Sequence, residues 1–329
     1  MKKWNYLFNV PEQKRVRMIV HTDCKNEADD QFALAHHLMT PKFKIEGIIA
    51  GHFNLKTQDM SPHTDAAEFD KRKKAGYYAT GTTAQASLEE VEKVLDLMGV
   101  TGICPVVKGS ELPMVDEKTA IDSPGAQMII REAMREDDDR PLFIGMLGGI
   151  TDLACAILLE PRICERMTAI WIGGGEYPNG GDEFNLANDI NAANVVFKSN
   201  MPVWQVPKNV YKEVSVSLAE LQLRVRPYGK IGNYIFTYMN EVNQNYADFF
   251  WPHGEIWGLG DNPTVSVLME EVEKTDIYDV VKAPSFNPDM TYDHSGNNRE
   301  IRVYNQANAR LCMEDFYAKL QLNYPNPED

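Results

Sequence analysis

The chain has no apolar run long enough to cross a membrane, and residues 1–14 hold none long enough for a secretory leader. We therefore expect a cytoplasmic protein with no membrane partner. Positive charge is also short: 33 Lys and Arg stand against 48 Asp and Glu, a formal net charge of −15. That balance argues against a nucleic-acid polymer or an anionic surface and suits a small neutral molecule or a cation. Cysteine is sparse. Cys24, Cys104, Cys155, Cys164 and Cys312 are odd in number, scattered and without metal-ligand spacing. They read as reduced thiols rather than a disulfide framework or a zinc site. Repeats and low-complexity linkers are missing as well, and no composition shift marks a domain boundary.

What is present is an alternation of short apolar runs and helical patterns. Met18–Thr22, Ile45–Ala50, Cys104–Lys108, Leu142–Leu147, Thr168–Ile172 and Val203–Val206 read as strands. Asp29–Met39, a stretch around Ser87–Leu97, Ala126–Arg135, Thr151–Leu159 and Asn191–Lys198 read as helices. Near-continuous apolar strands separated by helices predict an α/β fold, a mostly parallel central sheet with helices on both faces. Pro41 and Pro161 end the helices before them, because proline disfavours helix at the preceding residue. Beyond about residue 208 helices dominate: Ser217–Arg224, Ile231–Val242 and Asn262–Val272. Residues 283–299 read as a loop or hairpin, Ile301–Tyr304 as a last strand and Asn308–Leu320 as a closing helix. We expect one domain over 1–329, with 1–14 as an N-terminal extension and about 208–300 capping the site.

The most informative segment follows the first strand: His21-Thr22-Asp23-Cys24-Lys25-Asn26-Glu27-Ala28-Asp29-Asp30. Carboxylates at the carboxyl end of a strand stand where open α/β sheets bind ligands. Packed together they repel unless a proton or a cation is shared, and a hard divalent cation is the simplest solution. The spacing is not an EF-hand: Lys25 interrupts the alternating acids and Ala28 stands at the sixth position. It is not a dinucleotide loop either, since it has no glycine and its charge repels phosphate. A phosphatase with an aspartate nucleophile stays open, although Lys25 stands where a second Asp is usual. A plainer reading makes Asp29 and Asp30 helix caps, which leaves Asp23 and Glu27 unexplained.

Three further segments present polar groups at turns. Gly148-Gly149-Ile150-Thr151 joins a strand to a helix, where a carbonyl or hydroxyl of Thr151 can face a site. Gly173 to Asn185 is a glycine-rich loop carrying Asn179, Glu183 and Asn185, groups suited to sugar hydroxyls; a polar surface loop is the bland alternative. Asp261-Asn262-Pro263 opens a helix, with Asp261 as a cap on the plain reading.

Taken in order, these segments resemble the inosine–uridine-preferring nucleoside hydrolase family. That family has D-x-D-P-G-x-D-D after its first strand, G-P-L-T-N-[LI]-A before a helix ending L-E-P, M-G-G-G followed by E-F-N, and a late H-D-P. The chain has Asp23 with Asp29-Asp30, Gly148-Gly149-Ile150-Thr151-Asp152-Leu153-Ala154 with Leu159-Glu160-Pro161, and Gly173-Gly174-Gly175 with Glu183-Phe184-Asn185. It ends the series with Asp261-Asn262-Pro263.

The resemblance implies cleavage of the N-glycosidic bond of ribonucleosides with a bound Ca²⁺. Asp23, Asp30, Asp261 and the carbonyl of Thr151 would be ligands and Asp23 the general base. Asp29, Asn54, Asn179, Glu183 and Asn185 would hold the sugar, with His52 a rival of Asn54 for its place. Members commonly form homo-oligomers, which is the expectation here. The chain also departs from the pattern. Its acidic motif is two residues longer, His21 replaces the first Asp, Gly149 replaces proline, and Gly260 replaces the histidine that protonates the leaving base in part of the family. His253 is the candidate for that proton, with Trp251 or Trp257 stacking on the base; a packing role is the alternative for His253. These departures keep two other readings open: a hydrolase of another, related glycoside, and a non-catalytic sugar- or nucleoside-binding protein with Lys25 in the metal's place.

Overall fold

A computed structural model describes residues 4–53, 81–245, 247, 254–271, 273 and 275–329. Apolar runs become strands and the patterns between them become helices. In chain order these are β1 (Val16–Thr22), α1 (Asp30–Met39), β2 (Phe43–Ala50), α2 (Thr83–Leu97), β3 (Val106–Lys108) and α3 (Pro124–Ala133). Next come β4 (Leu142–Met146), α4 (Thr151–Leu159), β5 (Met167–Ile172), α5 (Phe184–Asn188), α6 (Ile190–Lys198), β6 (Val203–Val206) and α7 (Lys208–Tyr211). The remainder holds β7 (Ser215–Ser217), α8 (Leu218–Arg224), α9 (Gly229–Asn245), β8 (Ile256–Gly258), α10 (Pro263–Met269), β9 (Tyr278–Lys282), β10 (Ser285–Phe286), β11 (Tyr292–Asp293), β12 (Glu300–Tyr304) and α11 (Ala309–Asn323).

One eight-stranded sheet runs β3-β2-β1-β4-β5-β6-β12-β9. Every pairing in it is parallel except β12 with β9. Alternate strand residues enter two apolar layers: Met18, Val20, Ile48 and Ile170 on one face, Ile19, Ile49, Ala169 and Trp171 on the other. That period of two directs the polar residues that follow. His21 continues the face of Ile19, toward α4, and Thr22 continues the face of Val20, toward α1.

The expected strands and helices stand where the apolar periodicity puts them, and residues 283–299 contain the β10–β11 hairpin. The C-terminal portion is less purely helical than its composition suggests. β9 and β12 extend the central sheet, and β7 pairs with β8. β9 is an edge strand whose residues are mostly exposed, so it leaves no apolar run in the sequence. Among the described residues no helix is long and apolar enough to cross a membrane.

Helix α1 is buried on all sides, so each of its polar side chains needs a partner. His36 Nε2 lies 2.8 Å from Asp315 Oδ2 on α11 and Nδ1 lies 3.3 Å from Asn262 Nδ2. The carboxylate can only accept, so Nε2 carries the proton and Nδ1 accepts from the amide. His37 Nδ1 donates to the Ala33 carbonyl at 2.7 Å, and its Nε2 stands 3.3 Å from Thr264 Oγ1. Lys319 also donates to Asp315 and, at 2.9 Å, to Thr40 Oγ1. The two histidines thereby tie the helix that begins with Asp30 to the helix that follows Asp261.

Burial pushes His36 down to about 4 and His37 down to about 3 from the ordinary 6.5. Below pH 6.5 the unfolded chain takes up protons that the folded rings refuse. This contribution to stability is therefore complete above 6.5 and lost as pH falls toward 4. In urea unfolding at a series of pH values, His36→Gln is expected to lose less stability than the parent between about pH 6.5 and about pH 4. The difference should approach ~1.4 kcal/mol per pH unit. Identical slopes would show that His36 is not held neutral.

Candidate active site

The loops at the carboxyl ends of β1, β2, β4, β5 and β6 lie at one end of the sheet, because those strands are parallel. The strand order reverses direction between β1 and β4, and the crevice outside such a point is where open sheets bind ligands. Asp23 leaves β1 there, facing Gly148 beyond β4. A Cβ on Gly148 would lie 2.6 Å from Asp23 Oδ1, so only glycine leaves room for the carboxylate. The Gly148 carbonyl is fixed by the Trp171 indole N–H at 3.1 Å.

Asp29, Asp30 and Asp261 are buried, and one carboxylate oxygen from each lies within 4.8 Å of the others. Asp23 is buried beside them. Burial pushes Asp23 up to about 8, and the charges of Asp29 and Glu183 add to the rise. Burial takes Asp29 up to about 6 against backbone N–H groups, including that of Asp261, that favour its charged form. Asp30 and Asp261 are pushed well up, first by burial and then by the neighbouring aspartates. Thr22 Oγ1 donates to Asp30. Asp23 Oδ2 and Asp29 Oδ1 are buried without a hydrogen-bond partner among the described residues. The three converging carboxylates offer the oxygen-only donor chemistry of a hard divalent cation, so the residues present fit one; among the described residues that group contains Asp29 where the sequence pointed to Asp23, which stands beside it.

Lys25 takes no part in this set. Its ammonium lies 2.9 Å from Glu90 Oε2 on α2 and 4.1 Å from the centre of the Tyr238 ring. It therefore neither fills the metal's place nor pairs with Glu27. Burial and the charges of Asp29, Asp30 and Asp23 push the Glu27 carboxyl well above its ordinary range.

Beneath the acids run two buried polar chains, both rooted at the start of α4. Asp152 accepts from His21 Nε2 at 2.9 Å, from the Ser110 N–H at 3.0 Å and from Ser123 Oγ. These bonds hold the Asp152 carboxyl below its ordinary range despite its burial. The His21 ring lies so close to Gly51 that no side chain fits there. Thr151 Oγ1 donates to Asp189 Oδ2 at 2.7 Å, so it accepts from His52 Nε2 at 2.9 Å. The Thr151 hydroxyl thus serves the fold, while its carbonyl belongs to the first turn of α4. None of Asp152, Asp189, Ser110 or Ser123 was picked out as a site residue from the sequence. They are ordinary polar residues at turns and helix starts, far apart in sequence, and only the three-dimensional arrangement joins them.

The other expected contacts fall out variously. Glu183 caps α5, accepting from the N–H groups of Gly174, Asn185 and Leu186 at 2.8–3.0 Å and from Tyr211 Oη at 3.1 Å. Burial nevertheless raises its carboxyl above the ordinary range. Asn185 Nδ2 donates to Leu147 and Ile172 carbonyls at 2.8 and 2.9 Å, stitching the ends of β4 and β5. Asn179 is exposed, and its carbonyl accepts from the Tyr292 N–H at 3.0 Å. Trp257 is buried in the apolar core. Gly260 faces the Tyr211 ring, which a Cβ there would approach to 2.9 Å, so Tyr211 fills the space beside Asp261. Asn54, Trp251 and His253 lie outside the described residues.

Comparison with known proteins agrees with this arrangement. The profile of the family described as "Inosine-uridine preferring nucleoside hydrolase" matches residues 18–314. The inosine-uridine preferring nucleoside hydrolase of Leishmania major is 25% identical over 214 residues, 56% of this chain and 67% of that protein. That of Crithidia fasciculata is 28% identical over 182 residues, 47% of this chain and 53% of the relative, so the match spans about half of its length. A pyrimidine-specific ribonucleoside hydrolase, RihA, of Salmonella paratyphi A is 25% identical over 73% of this chain and 74% of its own. Among solved structures, the purine-preferring ribonucleoside hydrolase from Gardnerella vaginalis superposes with a TM-score of 0.67 at 16% identity. That alignment covers 92% of this chain and 98% of the other. A nucleoside hydrolase-related protein from Saccharophagus degradans gives 0.54 at 18% identity, over 94% of this chain and 72% of the other. With its acids gathered where the sheet reverses and its family profile matched over nearly its whole length, the chain belongs to the inosine-uridine preferring nucleoside hydrolases, a family of N-glycosyl hydrolases.

Proposed function

We propose that the protein hydrolyses ribonucleosides with a Ca²⁺ held at the carboxylate cluster. The observation that supports this reading is the set of buried aspartates with lone pairs left unsatisfied: Asp23 Oδ2 and Asp29 Oδ1 among Asp30 and Asp261. Asp23, Asp30, Asp261 and the Thr151 carbonyl would hold the cation. Bound there, it supplies Lewis acidity to a water in its shell. Asp23, beside Gly148, receives the water's proton as general base. Asp29 offers its free oxygen to a sugar hydroxyl, and Glu183 with Asn185 shapes the wall along which the sugar lies. Positive, oxocarbenium-like charge on the ribose is then stabilised by carboxylates already fixed in place. His253 is the candidate proton donor to the departing base and Trp251 its stacking surface.

A second reading, hydrolysis of a related glycoside, is favoured by Tyr211 occupying the space at Gly260. The Saccharophagus degradans neighbour is described as associated with carbohydrate metabolism. The non-catalytic reading loses its basis, because Lys25 is held by Glu90.

Purified enzyme is expected to release reducing sugar from at least one of inosine, uridine, adenosine and cytidine. Chelation should abolish the release and added Ca²⁺ restore it. Absence of release at high enzyme concentration with Ca²⁺ present would sink the assignment, and turnover of a non-nucleoside glycoside alone would favour the second reading. Asp23→Asn should lower kcat by about 10²–10⁴-fold, the usual worth of a positioned general base, with a smaller change in KM. Gly148→Ala should also lower kcat, since its methyl displaces the Asp23 carboxylate while leaving every acid in the sequence. Normal turnover by that variant would show that the Asp23–Gly148 contact does not position the base.

A further inference from the structure

The stretch from Leu147 to Asp152, which leads from β4 into α4, is fastened at both ends to one residue of β1. The His21 carbonyl accepts from the Leu147 N–H at 2.9 Å, and the His21 ring bonds Asp152 Oδ2 through Nε2 at 2.9 Å. The other oxygen of Asp152 takes the Ser110 N–H and the Ser123 hydroxyl. A carboxylate so used only accepts, so Nε2 carries the ring's proton. Between the two anchors lie Gly148, Gly149, Ile150 and Thr151. Gly148 is the residue whose missing side chain makes room for the Asp23 carboxylate. Thr151 carries the carbonyl assigned to the cation.

Stability alone does not account for this pair. His21 and Asp152 are both buried, and His21 Nδ1 has no hydrogen-bond partner among the described residues. A buried nitrogen left unpaired destabilises the fold, which an apolar side chain of similar size would not. Three glycines also leave their side-chain space to the pair: Gly51 to the ring, Gly109 and Gly125 to the carboxylate. The ring is committed to one hydrogen bond, the one that closes the turn. Both ends of that bond are departures from the family's motifs, His21 at the first Asp of D-x-D and Asp152 at the Asn of T-N. An amide at 152 would be the donor and a carboxylate at 21 the acceptor. Here the two roles are exchanged together.

We propose that His21 and Asp152 are a matched pair of positioning residues, whose hydrogen bond holds the Gly148–Thr151 turn against Asp23. The bond thereby sets both the placing of the general base and the position of the Thr151 carbonyl. Neither side chain touches the substrate or the cation. The proposal deepens the hydrolase reading and rests on it for the effect on turnover, while the effect on cation affinity is read without any substrate.

The test compares His21→Gln with His21→Met in the full chain. The two side chains are alike in length, but only glutamine keeps an N–H at the reach of Nε2. Ca²⁺ affinity is measured by calorimetry, kcat and KM with a nucleoside that the parent cleaves, and stability by urea unfolding. His21→Met should lower Ca²⁺ affinity and kcat by about 10–100-fold, the usual effect of removing a group that orients a metal site, with KM little changed. His21→Gln should keep both close to the parent's. Should His21→Met not fold, His21→Asn, whose amide is too short to reach Asp152, is expected to show the same losses. Asp152→Leu should match His21→Met, and the double variant should lose no more than either, since each opens the same bond. Equal losses in His21→Gln and His21→Met, or additive losses in the double variant, overturn the proposal. So does a His21→Met protein that is less stable but binds Ca²⁺ and turns over as the parent does. If the parent cleaves no nucleoside, the hydrolase reading falls and Ca²⁺ affinity alone decides this one. A parent that neither binds Ca²⁺ nor cleaves a nucleoside overturns both.

Discussion

Four aspartates are buried side by side, and everything else at this end of the molecule is arranged to keep them there. Left alone, such a cluster would draw in water or protons or push apart, since burying like charges costs more than any single contact returns. The fold opposes this by giving each acid a different element. Asp23 ends β1, Asp29 and Asp30 open α1, and Asp261 precedes α10. None can move away without dragging a strand or a buried helix with it.

The histidines of α1 show how that grip is made. His36 and His37 lie within one to two turns of Asp30 and reach the residues just after Asp261. The distance between the two halves of the acid set is thus fixed by neutral, buried hydrogen bonds rather than by the acids themselves. On the other face of the sheet, α4 does the same work through Asp152 and Thr151. Asp152 holds the ring of His21, two residues before Asp23. Thr151 is bonded on both sides, by His52 and Asp189. The rings of His36, His37 and His52 are driven toward neutrality by burial, while Asp152 keeps its charge through the groups that donate to it.

The sheet and its helices were legible because apolar runs and helical periodicity are local and strong, and the acid knot was legible because three like charges after a strand need a reason. What was not legible is which atoms an acid or amide actually spends. Glu183 and Asn185 stand in the expected loop, yet their side chains are largely engaged by backbone groups of the same loop and the neighbouring strand ends. Trp257 is an aromatic in a glycine-rich segment, and only packing shows that its ring lies in the core. Glu90 gave no signal at all. It is one acid in an acidic amphipathic helix, and its place opposite Lys25 depends on a contact 65 residues away in sequence.

Lys25 is where sequence and structure part most usefully. A cation within a metal-binding loop reads as an obstacle as long as its side chain has nowhere else to go. A buried carboxylate on the next helix gives it a destination, and a salt bridge with one end nine-tenths buried holds better than an exposed pair. The longer loop thus carries its cation away from the acids, fastened on Glu90. The acids themselves belong to the end of β1, the start of α1 and the turn before α10, so a positive charge in the loop leaves their arrangement intact.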